Sequence, residues 1–286
     1  MSLTLRYWGV RGSIATPGPA TLRYGGNTPC VEVTHAGGRL VLDAGTGLRP
    51  LGEASRANGG LADPLDVLVT HAHADHLLGL PFLTALDVTG AQVTVHVAAH
   101  VLDAVRAAAL ALASPPLFPV PLFERPARVT FAPLPADGTP VTIAGLRVRA
   151  IEALHPGGAA GFRLEDPASG RAAVYLPDNE LAAAEGECGR RRALLDAIAG
   201  ASLLIHDATY LPSELPNHRG WGHSTYAEAV RLAADAEVPR LTLFHHHPER
   251  DDAALDRLST LAQAMGRAAR GAPEVVMASE GLVQTL

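Results

Sequence analysis

The sequence predicts an α/β protein in four layers, with two β-sheets face to face and a helical layer outside each. Two observations carry this. Strand-rich segments alternate with helical ones in both halves of the chain, and elements that each bury one apolar face stack into such layers. The residues able to bind metal or move protons (Asp43, His71, His155, Asp178, His206 and His245) fall at the carboxyl ends of predicted strands. That is the edge where α/β sheets build their sites. No low-complexity linker and no short repeat interrupts the chain, so residues 1–286 read as one domain.

The elements follow in order. Residues 3–8 alternate as a first strand, and Gly9 to Gly26, rich in Gly, Pro and Thr, is a long loop. Val31–Val33 and Arg39–Leu42 form a hairpin joined at Gly37-Gly38, and Asp43 to Gly47 is a tight glycine turn. Leu65–Thr70 is β-branched and apolar, a buried strand. It feeds Thr70-His71-Ala72-His73-Ala74-Asp75-His76, after which Leu77–Leu86 has helical spacing interrupted by Pro81. Val93–Val97 is a strand and Val101–Ala113 an Ala/Leu-rich helix. Ser114–Pro126 carries five prolines with Leu117, Phe118 and Phe123, and reads as an irregular loop, either a lid, a subunit contact or a surface connection.

Val129–Phe131, Val141–Ile143 and Leu146–Glu152 are strands, the last running into His155-Pro156. Gly161–Leu164 and Ala172–Leu176 form a hairpin ending at Pro177-Asp178-Asn179. A helix over Arg190–Ala199 and a strand over Ser202–Ile205 lead to His206-Asp207. A helix over Thr225–Ala236, capped by Ser224 or Thr225, precedes the strand Leu241–Phe244 and His245-His246-His247. A helix over Asp252–Ala269 and a last strand over Glu274–Ala278 complete the pattern.

Composition narrows the function. The net charge of −6 gives no field that draws the chain to nucleic acid or an anionic membrane. All 23 basic residues are arginine, which excludes a Schiff-base lysine and a P-loop lysine. Two cysteines, Cys30 and Cys188, are too few for a disulfide framework or a thiolate metal site. No signal peptide and no bilayer-length apolar run is visible, so a soluble cytoplasmic protein is expected.

The chemistry centres on residues 70–76. Alternating His-x-His on an extended backbone points both rings one way, while Asp75 and His76 turn toward a second position. One loop can thus feed two adjacent metals. A two-metal hydrolytic site about 3.5–4 Å across needs several ligands and a bridging carboxylate. His71, His73 and His155 suit one metal, Asp75, His76 and His245 the other, and Asp178 can bridge. A water between two divalent cations deprotonates near neutral pH and becomes the nucleophile, with Asp75 able to orient it. Asp43 is a natural partner for the far nitrogen of a ligand histidine. Imidazole and carboxylate donors suit zinc, manganese or iron.

The run at 70–76, with His155, Asp178 and His245 downstream, resembles the signature of the metallo-β-lactamase superfamily. That family's αββα sandwich agrees with the layers read above, and the resemblance covers essentially the whole chain. The commonest β-lactamases carry Cys where Asp178 stands, and the oxygen-reducing diiron branch carries Glu where His73 stands, so neither activity is expected. His206-Asp207-Ala208-Thr209 is similar to the His-Glu-Ala-Thr box of ribonuclease Z, with Asp207 replacing Glu. Gly222-His223-Ser224-Thr225 is similar to its Gly-His-Ser-Thr loop. The 22-position spacing from His223 to His245 is similar to that in ribonuclease Z and in the cyclic phosphate phosphodiesterases of phosphonate metabolism. The resemblance implies that His223 is a general acid or electrostatic partner, and that His206 supports the ligands from behind. Likeness to relatives that are dimers implies a homodimer, with Leu117, Phe118 and Phe123 as an interface.

Phosphodiester hydrolysis is therefore expected. Ribonuclease Z grips precursor tRNA with a basic, glycine-rich arm, and no such insertion occurs here. Affinity for a polyanion rests on neutralised phosphates, and Arg190-Arg191-Arg192 is the one arginine run. A small phosphodiester, above all a 3′,5′-cyclic nucleotide, is preferred to nucleic acid. The alternatives are tRNA 3′-end cleavage and thioester or lactone hydrolysis on the same metals. Arg11, Ser13, Asn27 and Thr46, on the N-terminal glycine-rich loops and the 43–47 turn, are candidates for contacting the substrate.

Overall fold

The computed structural model describes residues 2–36, 38–57, 64–181 and 188–286. Its strands are β1 (Thr4–Gly9), β2 (Cys30–His35), β3 (Gly38–Leu42), β4 (Leu65–Val69), β5 (Gln92–Ala98), β6 (Arg128–Leu134) and β7 (Val141–Ile143). These are followed by β8 (Leu146–Ala153), β9 (Ala159–Glu165), β10 (Ala172–Leu176), β11 (Leu203–Asp207), β12 (Arg240–Phe244), β13 (Glu274–Met277) and β14 (Val283–Thr285). The α-helices are α1 (Leu48–Ala57), α2 (Leu102–Leu112), α3 (Cys188–Ile198), α4 (Tyr226–Asp235) and α5 (Asp252–Ala268).

Two seven-stranded sheets form, in the orders β14-β1-β2-β3-β4-β5-β6 and β13-β12-β11-β10-β9-β8-β7. Their inner faces share one apolar layer, in which Leu5, Tyr7, Leu40 and Leu68 of the first sheet meet Val148, Phe162, Tyr175 and Phe244 of the second. The outer face of the first sheet packs under α1 and α2, and that of the second under α3, α4 and α5. This is the αββα sandwich that the alternation of elements predicts. The parallel strands β10 and β11 are buried along their whole length, as strands covered on both faces must be.

Three local expectations are corrected. Residues 77–86 do not form an α-helix; they run through 3₁₀ turns at Leu80–Phe82 and Thr84–Asp87. Pro81 supplies no N–H for a helical ladder, and Gly79 packs so close to the Gly45 carbonyl that a Cβ there would lie 2.0 Å from its oxygen. Helix α1 was not expected, because Pro50 and Gly52 weaken its pattern. Pro50 falls in the first turn, where the missing N–H costs nothing, and Gly52 brings the helix against Thr84. Strand β14 follows the strand expected to be last and pairs antiparallel with β1. Gln284 fastens it, accepting from the Tyr7 hydroxyl at 2.6 Å and the Thr242 hydroxyl at 3.0 Å.

The Gly37 side of the β2–β3 turn lies outside the described residues. Between the two candidate N-caps of α4, the structure selects Thr225, in a reciprocal capping box with Glu228. Such a cap stabilises a helix by about 1 kcal/mol. Here it also fixes where the chain leaves His223 and Ser224.

Candidate metal centre

The strand ends converge on one edge of the sandwich. β4 delivers His71 and the turn behind it, β8 delivers His155, β10 delivers Asp178 and β12 delivers His245. Asp178 sits between the two expected ligand sets. One carboxylate oxygen lies 3.1 Å from His76 Nε2 and 3.3 Å from His245 Nε2. The other lies 3.8 Å from both His71 Nε2 and His155 Nε2. On one side His155 Nε2 approaches His73 Nδ1 to 3.0 Å. On the other, Asp75 lies 3.3 Å from His76 Nε2 and 3.2 Å from His245 Nε2. His71, His76, Asp178 and His245 are buried, whereas His73 is exposed and His155 partly so. The cluster therefore opens to solvent on the His73 side.

A metal fits this donor set. Triads His71–His73–His155, His71–His76–Asp178 and Asp75–His76–His245 each bring one donor atom per residue within 4.8 Å of the others. His71 Nε2, His76 Nε2 and Asp178 Oδ1 are buried and have no hydrogen-bond partner among the described residues. Orphaned buried polar atoms are costly, and three aimed into one space are what a cation would satisfy.

The far ring nitrogens explain the orientation. The Thr70 hydroxyl lies 3.0 Å from one Asp43 oxygen, to which it donates, and 3.1 Å from His71 Nδ1, from which it accepts. His76 Nδ1 donates to the other Asp43 oxygen at 2.8 Å, and His155 Nδ1 donates to the Gly222 carbonyl at 2.8 Å. The Thr209 hydroxyl donates to the His245 carbonyl at 2.9 Å and accepts from His245 Nδ1 at 3.0 Å. In each ring Nδ1 is assigned as the donor by this network, which turns Nε2 inward. Backbone fit adds to it. A Cβ on Gly12 would lie 2.4 Å from the His245 ring, and one on Gly222 would lie 2.1 Å from His155 Nδ1.

Charge is divided across the site. Burial, with smaller contributions from neighbouring rings, pushes His71 well below its usual range, and burial also lowers His73 and His155. These rings are neutral and have a lone pair to give. At His76 burial opposes the charge, but Asp75, Asp178 and Asp43 outweigh it and hold the ring well above its ordinary value. Asp178 is likewise disfavoured as an anion by burial, yet His245, His76 and His71 hold its carboxyl well below the usual range.

Asp43 holds the far ring nitrogen of His76. It also accepts the Thr70 N–H at 2.8 Å and the Tyr175 hydroxyl at 2.9 Å. We expect Asp43→Asn to weaken metal affinity about 10–100-fold. Its amide would donate to His76 Nδ1, moving that ring's proton to Nε2, where it blocks ligation. Competition with a chromophoric chelator measures this, and unchanged affinity would remove Asp43 from the site.

His223 lies across the cluster, with Nδ1 3.8 Å from Asp178 and 2.7 Å from the buried carboxylate of Asp207, to which it donates. Burial works against its charge, but Asp207 outweighs burial and raises the ring to about 9. The sequence reading noted Asp207 only as a replacement inside a motif. Its contact with His223, along with the support from Thr70, Thr209 and Gly222, was missed. The signal available was position: Thr70 and Thr209 stand inside the two histidine motifs.

His206 is buried outside the cluster. Its Nε2 lies 3.2 Å from the Asn179 amide, so it steadies the turn carrying Asp178. Of the N-terminal candidates, Arg11 is corrected. Arg11 is fully buried and donates to the carbonyls of Gly25 at 2.8 Å and Arg250 at 2.6 Å. Thr46 donates to Asn27 at 3.0 Å, and Asn27 donates to Glu280 at 3.2 Å. All three fasten the 9–28 loop; Arg11 does so because a buried guanidinium needs partners and finds them there, while Asn27 and Thr46 stay partly exposed. Ser13 reaches the site through its backbone, donating its N–H to Asp75 at 2.8 Å, while its side chain faces solvent.

A family model described as the β-lactamase superfamily domain matches residues 38–246. Ribonuclease Z of Bradyrhizobium diazoefficiens is 27% identical over 261 residues, covering 77% of this chain and 83% of that protein. The metallo-β-lactamase fold protein YhfI from Bacillus subtilis superposes with a TM-score of 0.72 at 19% identity, over 100% of this chain and 99% of its own. A diphosphatase of the PhnP family superposes with a TM-score of 0.68 at 17% identity, over 100% and 98%. With its fold, its His/Asp cluster and this match, the chain belongs to the β-lactamase superfamily and is a metal-dependent hydrolase.

Proposed function

We propose that this hydrolase is a dinuclear phosphodiesterase acting on small phosphodiesters, with 3′,5′-cyclic nucleotides as the preferred substrates. The observation that carries the reading is the Asp207–His223 pair, at 2.7 Å, set against the face of the ligand cluster. Hydrolysis of a thioester, which expels a weakly basic thiolate, has less need of such a proton donor than expulsion of an alkoxide from phosphorus. His71, His73 and His155 would hold one divalent cation, zinc or manganese, and Asp75, His76 and His245 the other, with Asp178 shared. Bound there, the cations would supply Lewis acidity and a water of lowered pKa. Asp207 fixes the His223 ring by its Nδ1–H, so Nε2–H is the proton available to the departing oxygen. The backbone N–H of Ser13 steadies Asp75. Leu117 and Phe123, which are exposed, and the partly exposed Phe118 would supply a homodimer contact. Among the described residues no helix is long and apolar enough to cross a membrane.

A second reading, tRNA 3′-end cleavage, is favoured by the identity to proteins named ribonuclease Z. The experiment is to refill metal-stripped protein with manganese or zinc and to supply 3′,5′-cyclic AMP or precursor tRNA. Chromatographic appearance of AMP, absent in Asp178→Ala, supports the first reading. Cleavage of precursor tRNA without AMP formation replaces it with the second.

A further inference from the structure

A row of aromatic rings leads from His223 to the surface. The buried Tyr210 meets His223 edge-on with centroids 5.8 Å apart. His218 stacks on Tyr210 at 4.4 Å and 21°, and Trp221 meets His218 edge-on at 5.0 Å. His223 is 8% exposed, Tyr210 5% and Trp221 59%, so the row runs from the buried proton donor to an open indole.

That indole is held in place. Glu180, itself buried, accepts the N–H of Gly220 at 2.9 Å with one oxygen and that of Gly222 at 2.8 Å with the other. Both glycines have positive φ, 82° and 85°, a conformation that side chains rarely adopt. Trp221 N–H closes the turn on the His218 carbonyl at 3.1 Å, and the Gly222 carbonyl orients His155. A buried carboxylate is tolerated only when well bonded, and here both oxygens serve the two residues flanking the indole. The other tryptophan, Trp8, has its N–H on Glu32 at 2.9 Å and the Arg6 guanidinium 4.3 Å from its ring centre. Trp221 is exposed at the outer end of the row that starts at the proton donor.

We propose that Trp221 is a specificity-determining residue that stacks on the nucleobase of the leaving group, so that the substrate class is nucleoside phosphodiesters. This rests on the phosphodiesterase reading and deepens it. Aromatic stacking is tolerant of base identity and worth roughly tenfold or more in affinity per base. A purine or pyrimidine is therefore selected over a bare sugar or alkyl group, without a fixed base preference.

The test uses the full-length protein carrying Trp8→Phe, in which Trp221 is the only tryptophan. Adenosine 5′-monophosphate is expected to quench its fluorescence, and ribose 5-phosphate to leave it unchanged. By competition against an activated diester, Trp221→Ala should weaken inhibition by adenosine 5′-monophosphate about tenfold and that by ribose 5-phosphate by less than twofold, with Trp221→Phe close to wild type. Equal weakening of both inhibitors, or of neither, overturns the stacking role while diester hydrolysis by wild type keeps the phosphodiesterase reading. Failure of metal-loaded wild type to hydrolyse any diester overturns that reading and the inference with it.

Discussion

Asp178→Ala is expected to abolish diester hydrolysis, by at least about a thousandfold, and to lower bound metal from two ions per chain to one or none. The side chain is buried, and its oxygens lie between 3.1 and 3.8 Å from the inward nitrogens of His71, His76, His155 and His245. Among the described residues it is the one carboxylate shown close to both ligand sets. Without it, imidazoles face one another, and Asp75 is the carboxylate left among the proposed ligands, on one side only. Elemental analysis gives the metal count, and circular dichroism separates loss of metal from loss of fold. Asp178→Asn keeps the shape and removes the charge, so it should fail in the same way. Two ions per chain in either variant would disprove the bridging role.

The second large effect is at the proton donor. His223→Ala should lower turnover of an unactivated diester, whose departing alkoxide needs a proton, about 10²–10⁴-fold with metal content unchanged. Asp207→Asn should cost about 10–100-fold for a stereochemical reason. One Asp207 oxygen accepts the Thr209 N–H at 2.8 Å, and the other accepts His223 Nδ1–H. An asparagine must turn its NH₂ against one of these donors. Because the two residues act as a unit, adding Asp207→Asn to His223→Ala should cost little more. Turnover unaffected by His223→Ala would remove the acid, and full additivity would separate Asp207 from it.

Much of the fold and of the donor inventory was legible in the chain, for identifiable reasons. Strands such as Leu65–Val69, apolar but for Asp66, and the wholly apolar Ala172–Leu176 carry a signal that survives without tertiary context. The histidine run at 70–76 is dense enough to announce metal chemistry by order alone. Helix α1 and strand β14 were not legible. One carries Pro and Gly that only its packing excuses, and the other is three residues at a sheet edge. Arg11 illustrates the opposite failure. A polar side chain in a glycine-rich loop suggests substrate contact, but its direction depends on carbonyls of Gly25 and Arg250, the latter 239 residues away.

By itself, then, the sequence determined the layered α/β class, the strand-end placement of the ligand residues and the donor types on offer. Those are properties of short windows, where side-chain periodicity and residue chemistry suffice. The tertiary structure alone decided which nitrogen each histidine turns inward, that Asp207 holds His223, and that Trp221 stands open at the end of an aromatic row. Each depends on contacts between residues far apart in the chain. Hydrogen-bond direction and burial are set there by partners that no local pattern contains.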